Sequence, residues 1–301
     1  MKVLVVGAGV IGTVYGSQVA TAGHSVSVLE HGRRTSDLLT NGFAVRDVSG
    51  SPTESAQITP VSAASAADRY ELVLICVQAD QLDSVFDSLR ALTGSPVLLF
   101  LGNNPGGHST LPTDLSGTAH LGFPGIGGSI TDSIVEFVRI PQQPTTLQSG
   151  GGPLLDDFEA ALTSRGFATT RTPDMDGWLA YHGLFIGSVA AALSRCHGSA
   201  AELAGDRDTL TLMCRSIEEG FAALAQQGVR GLPRNLRTLH RRWLRPVASR
   251  YWARTMRSPL GERAFAAHAR HAEPEMRALA ADALQRVQDV PHTDHVRALL
   301  G

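Results

Sequence analysis

The chain has 301 residues, 43% of them apolar, with 26 basic and 28 acidic residues and a formal net charge of -2. That length suits two domains and the apolar content is ample for a core in each, while the near-neutral charge gives no global pull toward nucleic acid or an anionic membrane. The three cysteines, Cys76, Cys196 and Cys214, are widely spaced and form no CxxC pair, so no disulfide framework and no metal site is expected and a reducing, cytoplasmic setting fits.

The chain opens on an apolar run, Val3 to Val6, and the pattern Gly7-Ala8-Gly9-Val10-Ile11-Gly12, followed by a helix-length segment, a second apolar run and Glu30. This order predicts strand, glycine turn, helix, strand, acid. Gly7 permits the tight turn, Gly9 lets a pyrophosphate approach the backbone, and Gly12 lets helix pack on strand. The N–H groups of the helix start, Val10 and Ile11 among them, face the phosphates. Glu30 is placed to accept the ribose hydroxyls. The cofactor expected is NADP or NAD: Glu30 would repel a 2′-phosphate, whereas Arg33 and Arg34 would attract one, and charge leaves both open.

Further apolar runs follow at Leu72 to Val77, Val97 to Leu101, His120 to Phe123 and Ile134 to Ile140. Such runs suit strands buried on both faces of a mainly parallel sheet. The loops after Val77 and Leu101, Gln78-Ala79-Asp80 and Gly102 to Gly107, are expected to border the cofactor, because ligands of open α/β sheets sit beyond the carboxyl ends of strands. Gln148 to Pro153 reads as a turn between late strands, with a short helix and strand after it through Arg171.

From Pro173 the strand signal stops. Asp174 caps a predicted helix over Met175 to Leu193, and long helical patterns follow over Ala200 to Gln227, Asn235 to Met256 and Pro274 to Gln288. The expected fold is α/β, with a Rossmann-type dinucleotide-binding domain over 1–172 and an all-helical domain for substrate or dimerisation over 173–301. Lys2 leads straight into the first strand, leaving no room for a signal peptide. The apolar stretch near Leu184 to Leu193 is too short to span a bilayer.

Gly102-Asn103-Asn104, Gly122-Phe123-Pro124-Gly125, Trp178-Leu179-x-x-His182 and His268 to Leu279 occur in an order that resembles the ketopantoate reductases, most closely a shorter, divergent branch. The resemblance covers nearly the whole chain. It implies NADPH-dependent reduction of a 2-oxo acid to a 2-hydroxy acid, in a Rossmann domain and a helical domain with the substrate between them. It also implies that the Asn103 amide sits between cofactor and substrate, with Asn104 beside it, and that Glu275 contacts substrate hydroxyls. Read from the residues alone, Asn103 is equally a turn residue satisfying its own loop, and Glu275 equally a solvated helix carboxylate.

Departures from the family pattern are as informative. The basic residue expected after the second strand is His31, the lysine expected after Val77 is Gln78, the catalytic lysine is Ala180, and a later asparagine on the same helix is Ser188. Lysine occurs only once in the chain, at Lys2, so no neighbouring lysine substitutes. Carbonyl reduction needs a proton as well as a hydride. Tyr181 and His182 are the candidate acids: Tyr181 lies within roughly 20° of Ser188 on a helix surface and has a free pKa near that of lysine, while His182 titrates near neutrality. Either side chain is also a common core residue with one satisfied hydrogen bond.

Between Arg230 and Arg257 stand nine arginines and no acid. The stretch suits an anionic group or an acidic carrier, or simply a solvated face. The expected activity is NAD(P)H-dependent reduction of a carbonyl or imine in a small anionic metabolite, free or carrier-bound and other than ketopantoate. The alternatives are a non-redox isomerase, cyclase or lyase on the same fold, and a nucleotide sensor. Neither nucleic acid nor membrane is an expected partner, and the protein is expected to be a monomer or homodimer.

Overall fold

The computed structural model describes residues 1–29, 35–61 and 69–301. The chain forms two compact units, Met1–Gly102 with His108–Pro173, and Asn103–Gly107 with Asp174–Gly301.

The first unit begins β1 (Lys2–Val6), α1 (Val10–Thr21), β2 (Ser25–Leu29), α2 (Thr35–Asn41), β3 (Phe43–Asp47), β4 (Glu54–Ala56), β5 (Thr59–Val61), β6 (Leu72–Ile75), α3 (Leu82–Arg90) and β7 (Val97–Leu101). It continues through α4 (Thr113–Ser116), β8 (Ala119–Phe123), β9 (Ile126–Thr131), β10 (Ile134–Arg139), β11 (Thr145–Gln148), α5 (Gly152–Ser164) and β12 (Thr169–Thr172). The main sheet has the order β12-β11-β8-β7-β6-β1-β2-β5. All its pairings are parallel except β8 with β11. Val3 lies opposite Val26 on one side and Leu72 on the other. These strands are apolar at successive positions because both faces of the sheet are covered, and Val3, Leu4 and Val5 are all fully buried. From β1 the chain goes outward to β2 and then returns to β6 on the other side, so the order reverses between β1 and β6.

One run sits elsewhere than expected. Ile134 to Ile140 forms β10, which pairs antiparallel with β9 in a separate sheet of order β4-β3-β10-β9. The linking residues Asp132 and Ser133 both have positive φ, 48° and 67°, the backbone of a two-residue hairpin turn whose twist matches its strands. Gln148 to Pro153 leads from a strand into a helix, β11 into α5, rather than between strands.

Helices joined by loops make up the second unit, which contains no strand among its described residues. It comprises α6 (Met175–Arg195), α7 (Ala200–Gly205), α8 (Arg207–Gln226), α9 (Arg234–Leu239), α10 (Arg245–Met256), a π-helical turn at Gly261–Ala266, α11 (Ala267–His271), α12 (Glu273–Val287) and α13 (Asp294–Leu300). Asp174 caps α6 by accepting a hydrogen bond from Gly177 N at 2.9 Å. The pattern expected as one helix over Ala200 to Gln227 is broken at Asp206, whose carboxylate accepts from Asp208 N and Thr209 N and so starts α8. By length and composition α6 would be able to cross a membrane. Here it is the central core helix of its unit, with Leu184, Phe185, Val189 and Leu193 in one apolar cluster with α8 and α10 residues.

Candidate functional site

The first unit carries a glycine cradle at the reversal point of its sheet. Gly7 follows β1 with φ +94°, and a Cβ there would lie 2.8 Å from Val77 Cγ1, beyond the end of β6. The turn therefore presses against the neighbouring strand end, and only glycine accommodates both the φ and the approach. At Gly12 a Cβ would come 2.0 Å from Gly7 O, so the helix can sit this close to the turn only without a side chain. Gly9 is the opposite case. It is the N-cap of α1, no side chain caps the helix there, and a Cβ would meet nothing within 4 Å. Open space above uncapped N–H groups of a helix start, including those of Val10 and Ile11, fits the pyrophosphate of a dinucleotide.

The rest of the turn is braced from below. Tyr15 of α1 is fully buried, and its hydroxyl lies 2.6 Å from Thr145 Oγ1 and accepts from Gly125 N at 2.9 Å. The motif Gly122 to Gly125 thus anchors the glycine-turn helix to β11. Gln78 caps the short helical turn at Ala79–Gln81, paired reciprocally with Gln81. Glu30, His31, Arg33 and Arg34 lie outside the described residues.

The second unit holds the residues expected to meet substrate. Asn103 and Glu275, 172 positions apart, are joined directly: Asn103 Nδ2 donates to Glu275 Oε1 at 2.8 Å. Asn103 Oδ1 is buried and has no hydrogen-bond partner among the described residues. Glu275 stands in the first turn of α12. Asn104 is buried and braces its own loop, with Nδ2 donating to Gly107 O at 3.0 Å.

Helix α6 distributes its side chains over three directions. One face meets the Asn103–Gly107 loop and α12: a Cβ at Gly183 would lie 2.8 Å from Pro105 Cβ, and one at Gly187 3.2 Å from the Ala280 backbone. Ala180 is three residues before Gly183 and so shares this face. Residues 180, 183 and 187 are all small, and that spacing was the available signal that a loop packs closely here.

A second face carries Tyr181 and Ser188 toward α8. The angular proximity expected of this pair holds, but the face is the core. Tyr181 is 2% exposed, packs edge-on against Phe221 and donates its hydroxyl proton to Val229 O at 2.9 Å. Burial raises its pKa. Ser188 is fully buried, 3.3 Å from Ser216 Oγ. The expectation of Tyr181 as acid and Ser188 as substrate ligand is therefore corrected: a phenol committed to a backbone carbonyl among apolar side chains is a packing group.

The third face carries Trp178, His182 and Phe185. His182 stacks on Trp178 with centroids 4.7 Å apart and meets Phe185 edge-on. Burial pushes its imidazole down to about 3, so near neutral pH it is uncharged and has no acidic proton to give at the rate a general acid requires. The expectation of His182 as acid is corrected on the same ground. His240 and Trp252 extend this aromatic array, with Trp252 Nε1 donating to His240 Nε2 at 3.3 Å.

In the arginine-rich stretch, Arg245 forms a two-pronged pair with Glu218 at 2.7 and 3.0 Å, and Arg257 donates to Ala204 O. Arg234, Arg241, Arg242, Arg250 and Arg254 are exposed.

No curated protein matches the chain in sequence. Residues 3–123 match the family model described as Ketopantoate reductase PanE/ApbA. Among solved structures the chain is similar to a PanE/ApbA family ketopantoate reductase from Ralstonia eutropha JMP134, at 22% identity and TM-score 0.76, covering 100% of this chain and 97% of that one. It is also similar to D-mandelate dehydrogenase in a ternary structure with NADH and anilino(oxo)acetate, at 14% identity and TM-score 0.75, with 100% and 97% covered. A third is a dimeric ketopantoate reductase from Staphylococcus aureus, at 14% identity and TM-score 0.67, again with 100% and 97% covered. The chain has the ketopantoate reductase fold, and its glycine cradle falls inside the segment that the family model matches.

Proposed function

We propose that this ketopantoate reductase-like chain is a nicotinamide-dependent oxidoreductase acting on the carbonyl or imine of a small anionic metabolite other than ketopantoate. The observation that carries the reading is the cradle: a helix start left uncapped and unobstructed at Gly9, with Gly7 and Gly12 closed tightly beneath it. Gly7, Gly9, Val10, Ile11 and Gly12 would hold the pyrophosphate, with Val77 and Gln78 beside the turn, and Glu30, His31, Arg33 and Arg34 would decide between NAD and NADP. When bound, the nicotinamide supplies a hydride.

Asn103 and Glu275 are the substrate-facing residues of this reading. The carboxylate fixes the amide's rotation through the 2.8 Å bond, which turns Oδ1 away from it. No lysine stands at position 180, and Tyr181 and His182 serve the helical core, so a proton required by the product comes from water. A mismatch with ketopantoate follows from the same change, since the residue that would protonate its ketone is a methyl group here.

NADH and NADPH binding by calorimetry, followed by their oxidation with a panel of 2-oxo acids and imines, tests the proposal. Nucleotide affinity in the micromolar range and turnover of at least one substrate class are expected. Absence of affinity for both nucleotides would sink it. The second reading, an isomerase, cyclase or lyase on this fold, draws its support from Gln78 and Ala180 standing where the family has lysines; it expects nucleotide binding without net oxidation. The protein is taken as cytoplasmic, monomeric or homodimeric, and its exposed arginines would suit a carrier-bound form of the substrate.

A further inference from the structure

Arginines outside the stretch from Arg230 to Arg257 are matched by acids in many places: Arg46, Arg90, Arg139, Arg165, Arg171 and Arg286 all stand in ion pairs with carboxylates. Within the stretch there are nine arginines and no acid, so it carries +9 and, out of a net -2, leaves -11 on the rest of the chain. Arg234, Arg241, Arg242, Arg250 and Arg254 are exposed. None of these five has a side-chain hydrogen bond or ion pair among the described residues.

The same segment leaves large apolar side chains uncovered. Trp243, in the helical turn Arg242–Leu244, is 70% exposed, Val247 51% and Tyr251 36%. Helix α10 buries Ala248, Trp252 and Met256 in the core of its unit. At 100° per residue, Val247, Arg250, Tyr251 and Arg254 fall within roughly 100° of one another on the opposite side. Apolar and charged groups are therefore interleaved on one face. A helix that lies in a membrane surface keeps its apolar stripe apart from its charges, so this mosaic does not suit lipid. Exposed tryptophan, tyrosine and arginine are instead the side chains that dominate protein interfaces.

Charge narrows the partner further. Two copies of this chain meeting through this face about a twofold axis would set arginine against arginine. An extended polyanion would also meet the -11 carried by the rest of the chain. A protein with a local acidic surface meets neither obstacle: its carboxylates accept paired bonds from guanidinium forks, and apolar side chains among them cover Trp243 and Val247. We propose that this face of α10, with the turn before it, docks an acidic protein surface that carries apolar side chains between its carboxylates. The proposal is independent of the redox reading, since neither the nucleotide cradle nor the Asn103–Glu275 pair takes part.

The probe is a fluorescein-labelled helical peptide with leucine at every fourth position and glutamate between, titrated with the full chain at physiological salt and read by anisotropy. Binding in the micromolar range is expected. It should weaken about tenfold or more when the peptide's leucines are replaced by serine, in Trp243→Ser, and in the double variant Arg250→Glu with Arg254→Glu. All three side chains are exposed, so melting temperatures within about 2 °C of the wild type are expected and separate lost docking from lost folding. Vesicles of phosphatidylserine and phosphatidylcholine, duplex DNA, and sedimentation of the chain alone supply the rival occupants. No peptide binding, or binding indifferent to the leucines or to Trp243, overturns the proposal. So does tighter binding to vesicles or DNA through Arg250 and Arg254, or self-association that the double variant abolishes.

Discussion

The turn between β1 and α1 is fixed by backbone against backbone, helix α6 by side chains with partners on three sides. At Gly12 the limiting distance is 2.0 Å from a built Cβ to Gly7 O, and no rotation of a neighbour can relieve it. Along α6 the limiting facts are partners: Pro105 against Gly183, Val229 O against Tyr181, Trp178 against His182. The first kind of constraint acts within a few residues of the chain. The second depends on what tertiary structure brings alongside, and a residue's chemistry does not reveal which neighbour it will have.

The largest expected effects lie in the turn, where two alanines separate fold from ligand. Gly12→Ala forces a methyl into a backbone oxygen and should cost about 3 kcal/mol or more, with loss of nucleotide affinity. Gly9→Ala adds a methyl to open space at an ordinary φ of -70°, so the melting temperature should stay within about 2 °C while NADH and NADPH affinity falls tenfold or more. Thermal denaturation and calorimetry read both. An unchanged affinity in Gly9→Ala would mean that no phosphate approaches there.

Next in size are the substitutions that separate Asn103 and Glu275. Asn103→Ala and Glu275→Gln should each lower kcat/KM about 10²-fold on whichever substrate the panel identifies, and the double variant should lose much less than the product of the two, because the residues act through one hydrogen bond. Fully multiplicative losses would show that the pair does not act as a unit.

Those residues also mark where sequence reading ends. β1, β6 and β7 are legible because both faces are buried and the runs are unbroken, and the cradle because its glycines answer local distances. The sheet to which β10 belongs is not legible, since periodicity gives a strand's faces and not its neighbours. The same limit applies to α6: the shared face of Tyr181 and Ser188 follows from helix geometry, but that α8 covers it does not. The hydrogen bond of Asn103 to Glu275 across 172 positions is not legible in the sequence, as nothing local in Gly102 to Gly107 names a partner on α12.

A third contrast is in acid. The turn carries no buried titratable group of its own, whereas burial pushes His182 and His240 down to about 3 and about 4. Both are neutral in the fold and return to about 6.5 when unfolded. Below pH 6.5 the unfolded chain takes up protons that the fold excludes, so stability should fall as pH drops from 6.5 toward 4, by about 1.4 kcal/mol per pH unit for each histidine. Above pH 6.5 neither contributes a slope. Urea denaturation of His182→Phe across this range should show a shallower dependence than the wild type, and an unchanged slope would show that the imidazole is hydrated.

The smallest expected effect decides most directly between the two ways of using α6. Tyr181→Phe removes a hydroxyl whose proton goes to Val229 O and leaves that carbonyl without this donor. If the ring is a packing group, stability should drop by about 1 kcal/mol and kcat/KM should stay within about twofold, because the ring's contact with Phe221 is kept. If the phenol were the proton donor in place of the missing lysine, the rate would fall 10²-fold or more with little change in stability. The hydroxyl cannot serve both ends at once, since donating to Val229 O consumes its only proton, so the ratio of lost rate to lost stability in this one variant reports which partner it has.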